Sequence, residues 1–213
     1  AFPQTKKYLN SYNSRLVGIP IRDELLLGDR NQLLEKINFQ NQGLKTILVL
    51  GGSQGSKKIN EIIRSNLSVL TNHYQIIHVT GMGKKDSIVS DPKYFQIEYI
   101  SEGMADYLAA ADLVISRSGA NSIFELLLTN KKMILVPLVQ GSRGDQVLNA
   151  QVFAKNGWAL SVDESKLTGE TLITYLNKVF HDNVDDKSSL NEVDFSNNKA
   201  KILDEITESA LTK

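Results

Sequence analysis

From Lys45 onward the chain repeats one pattern: a short apolar run, a turn of small residues, then a segment whose apolar positions recur at helical spacing. Thr46-Ile47-Leu48-Val49-Leu50 is the first such run. A strand with one wet face alternates apolar and polar residues, whereas an uninterrupted run is expected of a strand buried on both faces of a parallel sheet. The run ends in Gly51-Gly52-Ser53-Gln54-Gly55, and Ile59, Ile62, Ile63, Leu67 and Leu70 then predict one helix. Further strands are expected over Tyr74–Thr80, Phe95–Ile100, Asp112–Ser116, Lys132–Pro137 and Trp158–Val162. Helices are expected over Met104–Ala111, after Asn121, over Asp145–Asn156 with Gly157 as the stop, and over Thr168–Phe180. Strands and helices alternating at this spacing predict a doubly wound parallel α/β sheet, in which ligands bind beyond the carboxyl ends of the strands.

The flanks are less regular. Residues 1–12 read as a short helix, and residues 15–22 (RLVGIPIR) as a short strand broken by Gly18 and Pro20. A helix is expected around Arg30–Ile37, a polar loop over 181–195 and a terminal helix over 196–211. Composition removes several classes of function. With 24 basic and 24 acidic side chains among 213 residues, the chain lacks the positive balance of a protein that neutralises nucleic-acid phosphates. No apolar run approaches the length of a membrane span, and no signal peptide is visible. The absence of cysteine excludes disulfides, thiolate catalysis and Cys-ligated metals, and fits a cytosolic protein. His73, His78 and His181 are too scattered to suggest a metal cluster.

The loops after the strands carry the chemistry. Leu113-Val114-Ile115 stops at Ser116-Arg117-Ser118-Gly119-Ala120, followed by Asn121 and Ser122, either of which is expected to cap a helix. A helix N-terminus at this place suits an anion, and Glu125, about one turn in, is placed to accept hydrogen bonds from a diol. An ordinary βα turn with a capping acid has the same local sequence. Gly51–Gly55 lets the backbone approach a ligand closely, and Ser53 adds a hydroxyl for a phosphate oxygen. It is neither a Walker A loop nor a Gly-x-Gly-x-x-Gly fingerprint, and as a bare glycine turn it is equally a structural element. Arg117 reaches a phosphate or is an inter-domain or surface arginine, with the balance toward the second. In the Ser142-Arg143-Gly144-Asp145-Gln146 segment, Asp145, Gln146 and nearby Asn149 cluster at a first helical turn, offering acceptors and donors suited to sugar hydroxyls or serving as a cap with solvated neighbours. His78 is a candidate general base, though a structural imidazole is the stronger expectation; Lys84 and Lys85 read as solvated. Taken together on one sheet edge, these loops describe a site for a nucleotide-sugar, with pyrophosphate at the helix ends, ribose on Glu125 and hexose on Asp145 and Gln146.

GGSQG after a strand, SRSGANSIFE and SRGDQVLNA, in this order and spacing, resemble the donor-binding half of the MurG family, bacterial N-acetylglucosaminyltransferases that act on a lipid-linked muramyl-pentapeptide. The resemblance runs from about Phe2 to the terminal helix. It implies a Rossmann-like sheet forming the C-terminal domain of a GT-B glycosyltransferase, with residues 1–22 as the end of the N-terminal domain and the interdomain crossover, 23–195 as the UDP-sugar-binding domain and 196–213 as a C-terminal helix. It implies that Arg22 contacts the UDP-N-acetylglucosamine donor, Ser53 binds the α-phosphate, and Ile100 holds the uracil edge through its backbone. Ala120, Asn121 and Ser122 would line the phosphate and ribose region, Glu125 would take the ribose hydroxyls, and Gln146 with Asp145 and Asn149 would read the amino sugar. Some relatives carry Gln where this chain has Asp145, and the IDDMA-like segment of the family appears one residue longer here, as Ile100–Ala105.

The resemblance further implies that the acceptor half, with the catalytic base and the membrane-docking patch, lies outside this chain, so that the chain is a fragment competent at most for donor binding. Lipid I would be the acceptor of the whole enzyme, seated on the cytoplasmic face of the membrane. Transfer would proceed with inversion, the leaving pyrophosphate being stabilised by helix N-termini and Ser53, with no metal and no cofactor required. Three other readings share some of these features: a UDP-N-acetylglucosamine 2-epimerase, a non-catalytic nucleotide-sugar subunit of a two-chain transferase, and an NAD-dependent oxidoreductase. The last lacks its glycine fingerprint and the acid that follows it.

Overall fold

The computed structural model of the chain describes residues 22–39, 43–52, 54–139 and 144–181. Six strands form one all-parallel sheet: β1 (Lys45–Leu50), β2 (Tyr74–Val79), β3 (Tyr94–Ile97), β4 (Leu113–Ser116), β5 (Lys132–Leu135) and β6 (Leu160–Ser161). Their order is β3-β2-β1-β4-β5-β6. The chain therefore winds outward from β1 to one edge, returns to pair β4 against the other side of β1, and winds out again. The reversal between β1 and β4 is the place where the connections diverge to opposite faces and leave a crevice.

The continuous apolar runs do what their composition predicts. In β1, Ile47 and Val49 pack into the layer that includes Ile59, Ile63, Leu172 and Leu176, while Leu48 packs into the layer that includes Leu33, Leu108, Ile123 and Phe153. Helices α2 (Lys57–Ser65), α3 (Leu67–Leu70) and α7 (Gly169–His181) thus cover one face, and α1 (Arg30–Lys36), α4 (Met104–Ala110), α5 (Ala120–Leu128) and α6 (Asp145–Lys155) the other. Three of these helices stop by the same device. Asn38, Asn130 and Gly157 take positive φ values of 57°, 53° and 71°. Beyond them, the amides of Phe39, Lys131 and Trp158 return to the carbonyls of Leu34, Leu126 and Phe153. This is the Schellman arrangement, and at α6 its apolar contact is the Trp158 ring edge-on to Phe153 at 5.2 Å.

Several sequence expectations need correction. The helix expected to run through Leu70 breaks at Asn66, whose Nδ2 donates back to the Ile62 carbonyl at 2.8 Å beside a Ser65 hydroxyl bonded to Glu61 O; such side chains compete with the helical ladder. Strand β3 ends at Ile97 rather than Ile100, because the chain turns away to line a cavity. The last strand is only Leu160–Ser161, since Trp158 belongs to the end of α6. Helix α5 begins at Ala120 with Gly119 as its N-cap and no side-chain cap, so neither Asn121 nor Ser122 serves as one. The expected helix over 1–12, residues 15–21 of the strand expected over 15–22, residues 182–195 of the loop expected over 181–195 and the terminal helix over 196–211 lie outside the described residues; Arg22 is in no strand, and His181 is the last residue of α7 rather than loop. No helix among the described residues is long and apolar enough to cross a membrane.

Candidate functional site

At the β1/β4 crevice lies a cavity of about 910 Å³. Its floor is the carboxyl ends of the strands (Leu50, Val79, Ser116). Around it stand the glycine loop (Gly51, Gly52, Gln54, Gly55), the turn into α5 (Arg117, Gly119, Ser122) and the segment Glu98–Ala105 after β3, while Leu138 and Gln146 approach from the β5–α6 side and Arg22 with Glu24 and Leu25 from the start of the described chain. Because α5 starts without a side-chain cap, the amides of its first turn, Ala120, Asn121 and Ser122, form a bare helix end beside the glycine loop.

Of the residues singled out from the sequence, Arg22, Ile100, Ser122 and Gln146 line this cavity together. Glu125 stands next to it: Arg22 Nε donates to Glu125 Oε1 at 3.0 Å, and this carboxylate, with the nearby Glu24, raises the Arg22 pKa above its ordinary value. Ala120 and Asn121 occupy the first turn of α5, Asn121 exposed to solvent. Asp145 is the exposed first residue of α6, after Gly144 in the left-handed region at φ 82°. Gln146 accepts the Leu138 amide on its Oε1 at 3.1 Å, and its backbone carbonyl accepts the Ser118 hydroxyl at 2.8 Å. Asn149 is placed differently from the sugar-reading role: it is 8% exposed, does not line the cavity, and donates from Nδ2 to the Ser118 carbonyl at 2.9 Å. It ties α6 to the turn before α5. Ser53, Ser142 and Arg143 lie outside the described residues.

Arg117 is not the surface or inter-domain arginine that the sequence favoured. It is 9% exposed and acts as a clamp. Nη1 donates to the Val136 carbonyl at 3.0 Å, and Nη2 to the Ser56 hydroxyl at 2.8 Å and to Glu164 Oε1. Ser56 is the N-cap of α2, so this one side chain joins the end of the glycine loop, the end of β5 and the turn after β6. Lys84 is not simply solvated either: its Nζ donates to the carbonyls of Gln54 at 2.6 Å and Gly55 at 3.3 Å. Both partnerships join residues far apart in sequence, and nothing local announced them.

His78 is fully buried on β2. Its Nε2 lies 2.9 Å from Asn60 Oδ1 and its Nδ1 2.7 Å from the Tyr94 hydroxyl, while Asn60 Nδ2 donates to the Thr80 carbonyl. With the imidazole neutral, Tyr94 O–H donates to Nδ1 and Nε2–H donates to Asn60 Oδ1. Burial, assisted by the Arg64 charge, lowers the His78 pKa to about 3. A group with both nitrogens engaged and no access to the cavity is a structural imidazole, not a base. Among the described residues no group of three or more His, Cys, Asp or Glu side chains could hold a metal ion.

A parallel sheet in this order, with a glycine loop and a bare helix end opening on its switch point, defines a Rossmann-like domain. More particularly, the chain belongs to the glycosyltransferase family 28 C-terminal domain, whose model matches residues 46–206. It is 40% identical over 211 residues to the UDP-N-acetylglucosamine–N-acetylmuramyl-(pentapeptide) pyrophosphoryl-undecaprenol N-acetylglucosamine transferase of Staphylococcus aureus strain MRSA252, and 39% identical to that of strain JH9. These alignments cover 99% of this chain but 59% of each relative, so the chain spans about three fifths of the length of the curated relatives it matches. In fold it is similar to Acinetobacter baumannii MurG (TM-score 0.68, 22% identity, 93% of this chain and 58% of that one) and to the glycotransferase of kitacinnamycin (TM-score 0.60, 17% identity, 83% and 42%). The α/β sheet of a GT-B glycosyltransferase C-terminal domain, expected from the sequence, is the architecture found.

Proposed function

We propose that this chain is the UDP-N-acetylglucosamine-binding part of an inverting N-acetylglucosaminyltransferase that converts lipid I, undecaprenyl-diphospho-muramoylpentapeptide, to lipid II in peptidoglycan synthesis. The observation that carries the reading is the single hollow at the β1/β4 switch point onto which Arg22, Ile100, Ser122, Gln146 and the glycine loop all open. The names of its relatives supply the donor and the acceptor. The end of β2 also speaks against a dinucleotide site: Val79, Thr80 and Gly81 stand where an acid would be needed for an adenosine ribose.

In this reading the backbone of Ile100 holds the uracil edge, Glu125 takes the ribose hydroxyls in exchange for part of its bond to Arg22, and Ser53 with the amides of Ala120, Asn121 and Ser122 takes the diphosphate. Gln146 reads the N-acetylglucosamine, with Asp145 beside it and Asn149 holding the turn. The acceptor hydroxyl attacks the anomeric carbon, the bond to the β-phosphate oxygen breaks, and the configuration inverts. Amides fixed in the folded state stabilise charge on the departing UDP without reorganising. Residues 1–22 form the crossover from an acceptor-binding half that supplies the catalytic base and a peripheral contact with the cytoplasmic face of the membrane. Residues 23–195 form the donor domain, followed by the C-terminal segment 196–213.

Calorimetric titration with UDP, UDP-N-acetylglucosamine, GDP and NAD tests this. Uridine nucleotides are expected to bind and the others not, and Glu125→Ala is expected to weaken UDP binding by about 1–3 kcal/mol through lost charge-assisted hydrogen bonds. Equal heats for GDP and UDP would refute it.

A further inference from the structure

The loops after β1 and β2 touch backbone to backbone. Gly55, at φ 68°, lies so close to β2 that a Cβ there would sit 2.1 Å from the Thr80 carbonyl oxygen. Gly81, at φ 94°, would place one 2.6 Å from the Gln54 carbonyl oxygen. No side chain fits between the two loops, so a side chain that links them must reach around the contact.

Lys84 does this. Its ammonium donates to the carbonyls of Gln54 and Gly55. Its own backbone is held twice: its amide donates to the Gly81 carbonyl at 3.1 Å, closing the turn, and its carbonyl accepts Arg64 Nη2 at 2.6 Å. Arg64 is in the last turn of α2, the helix that the glycine loop opens into. The brace is therefore a closed circuit, from the C-terminal end of α2 through Arg64 and Lys84 back to the loop at its N-terminal end.

We propose that Lys84 is a positioning residue for diphosphate recognition: it orients the peptides of the glycine loop by binding two of their carbonyls, and its charge offsets the negative potential those carbonyls present to an anion in the cavity. This rests on reading the cavity as a nucleoside-diphosphate site. Two peptide carbonyls on one ammonium have their dipoles satisfied by a fixed cation. Without it, the loop rotates more freely and its carbonyl oxygens compete with its amides for the side facing the phosphates. The proposed nucleoside contacts, on Ile100 and Glu125, are on other elements, and the Lys84 ammonium donates to neither.

The test is the affinity of the 213-residue chain for UDP and for uridine, measured by calorimetry in the parent, Lys84→Met and Lys84→Arg at two salt concentrations. Lys84→Met is expected to weaken UDP about 5- to 20-fold while leaving uridine within about twofold, as for the loss of one charge-assisted contact pair. Lys84→Arg is expected to restore most of the loss, and the parent's UDP affinity to fall more steeply with salt than that of Lys84→Met. Equal UDP affinity in the parent and Lys84→Met overturns this inference alone. Parallel loss of UDP and uridine binding also overturns it, since that is the mark of a general structural role. A parent that binds neither ligand overturns the proposed function and this inference with it.

Discussion

Acid should destabilise this domain through one imidazole. In the folded chain His78 has a pKa of about 3 because burial disfavours a charged imidazole and the Arg64 charge opposes it. In the unfolded chain it titrates near its ordinary 6.5. The folded pKa is depressed, so the stabilisation is fully present above pH 6.5 and is lost as pH falls toward 3. In that window the unfolded state binds about one proton more than the folded state, and stability should fall by about 1.4 kcal/mol per pH unit from this group. Between pH 6.5 and about 4.5 the loss comes to about 2 kcal/mol, a large part of the total for a domain of marginal stability. Carboxylates also titrate at the lower end of this range, so the difference between the parent and His78→Gln is the informative quantity. Gln keeps a donor and an acceptor but has no proton to gain. Urea unfolding at pH 7.5, 6.5, 5.5 and 4.5 should show the parent ahead at neutral pH and its lead shrinking by about 2 kcal/mol over the acidic steps. A lead that stays constant with pH would refute the buried neutral imidazole and the network built on it.

Other outcomes follow from the same contacts. Glu164→Gln, which removes the charge facing Arg117 Nη2, is expected to cost about 2–3 kcal/mol in urea unfolding, below the full penalty for a deeply buried pair because the two side chains are 11% and 25% exposed. Gly55→Ala is expected to abolish UDP binding and to destabilise by more than about 3 kcal/mol, since it adds a clash with the Thr80 carbonyl to the left-handed strain. Gly43→Ala, at φ 72° with nothing within 4 Å of the new Cβ, should cost only about 1–2 kcal/mol and leave binding intact. Arg22→Ala combined with Glu125→Ala should weaken UDP binding by less than the sum of the single changes, because each single change also leaves the other partner unpaired.

What the sequence made legible was what periodicity encodes. Runs such as Ile47-Leu48-Val49 could satisfy both of their faces only inside a covered parallel sheet, and alternation with helices left one family of topologies. The rim of the sheet was legible for the same reason, since a ligand site at strand ends follows from topology rather than from any one side chain. Boundaries failed where a side chain competed with the ladder, as Asn66 does after α2, or where a helix-stopping motif absorbed residues of strand-like composition, as at Trp158. Roles failed where a side chain's partner was distant in sequence. Arg117 finds Glu164, Lys84 finds Gln54, and Asn149 finds Ser118 only once the sheet has brought their loops together.

The cations around the cavity share a physical logic. Among the described residues, Arg117, Lys84 and Arg22 are cations beside the glycine loop or the cavity that each have a protein acceptor: Glu164 with Ser56, the Gln54 and Gly55 carbonyls, and Glu125. In the proposed function, a diphosphate meets cations already paired within the protein, so its charge falls to peptide amides of the loop and of the first turn of α5. Amides fixed by a fold lose little entropy on binding, and no long side chain has to be immobilised at the moment of capture. That reading fits a chain whose 24 basic and 24 acidic residues balance. It also gives the binding a distinct signature. Because the amides carry no net charge, UDP affinity should respond to salt far less steeply than in a site that pairs each phosphate with a free arginine or lysine. A slope of affinity against salt matching two or more full ion pairs would show that Arg22 or Arg117 leaves its protein partner for the ligand, and would return those side chains to direct phosphate contact.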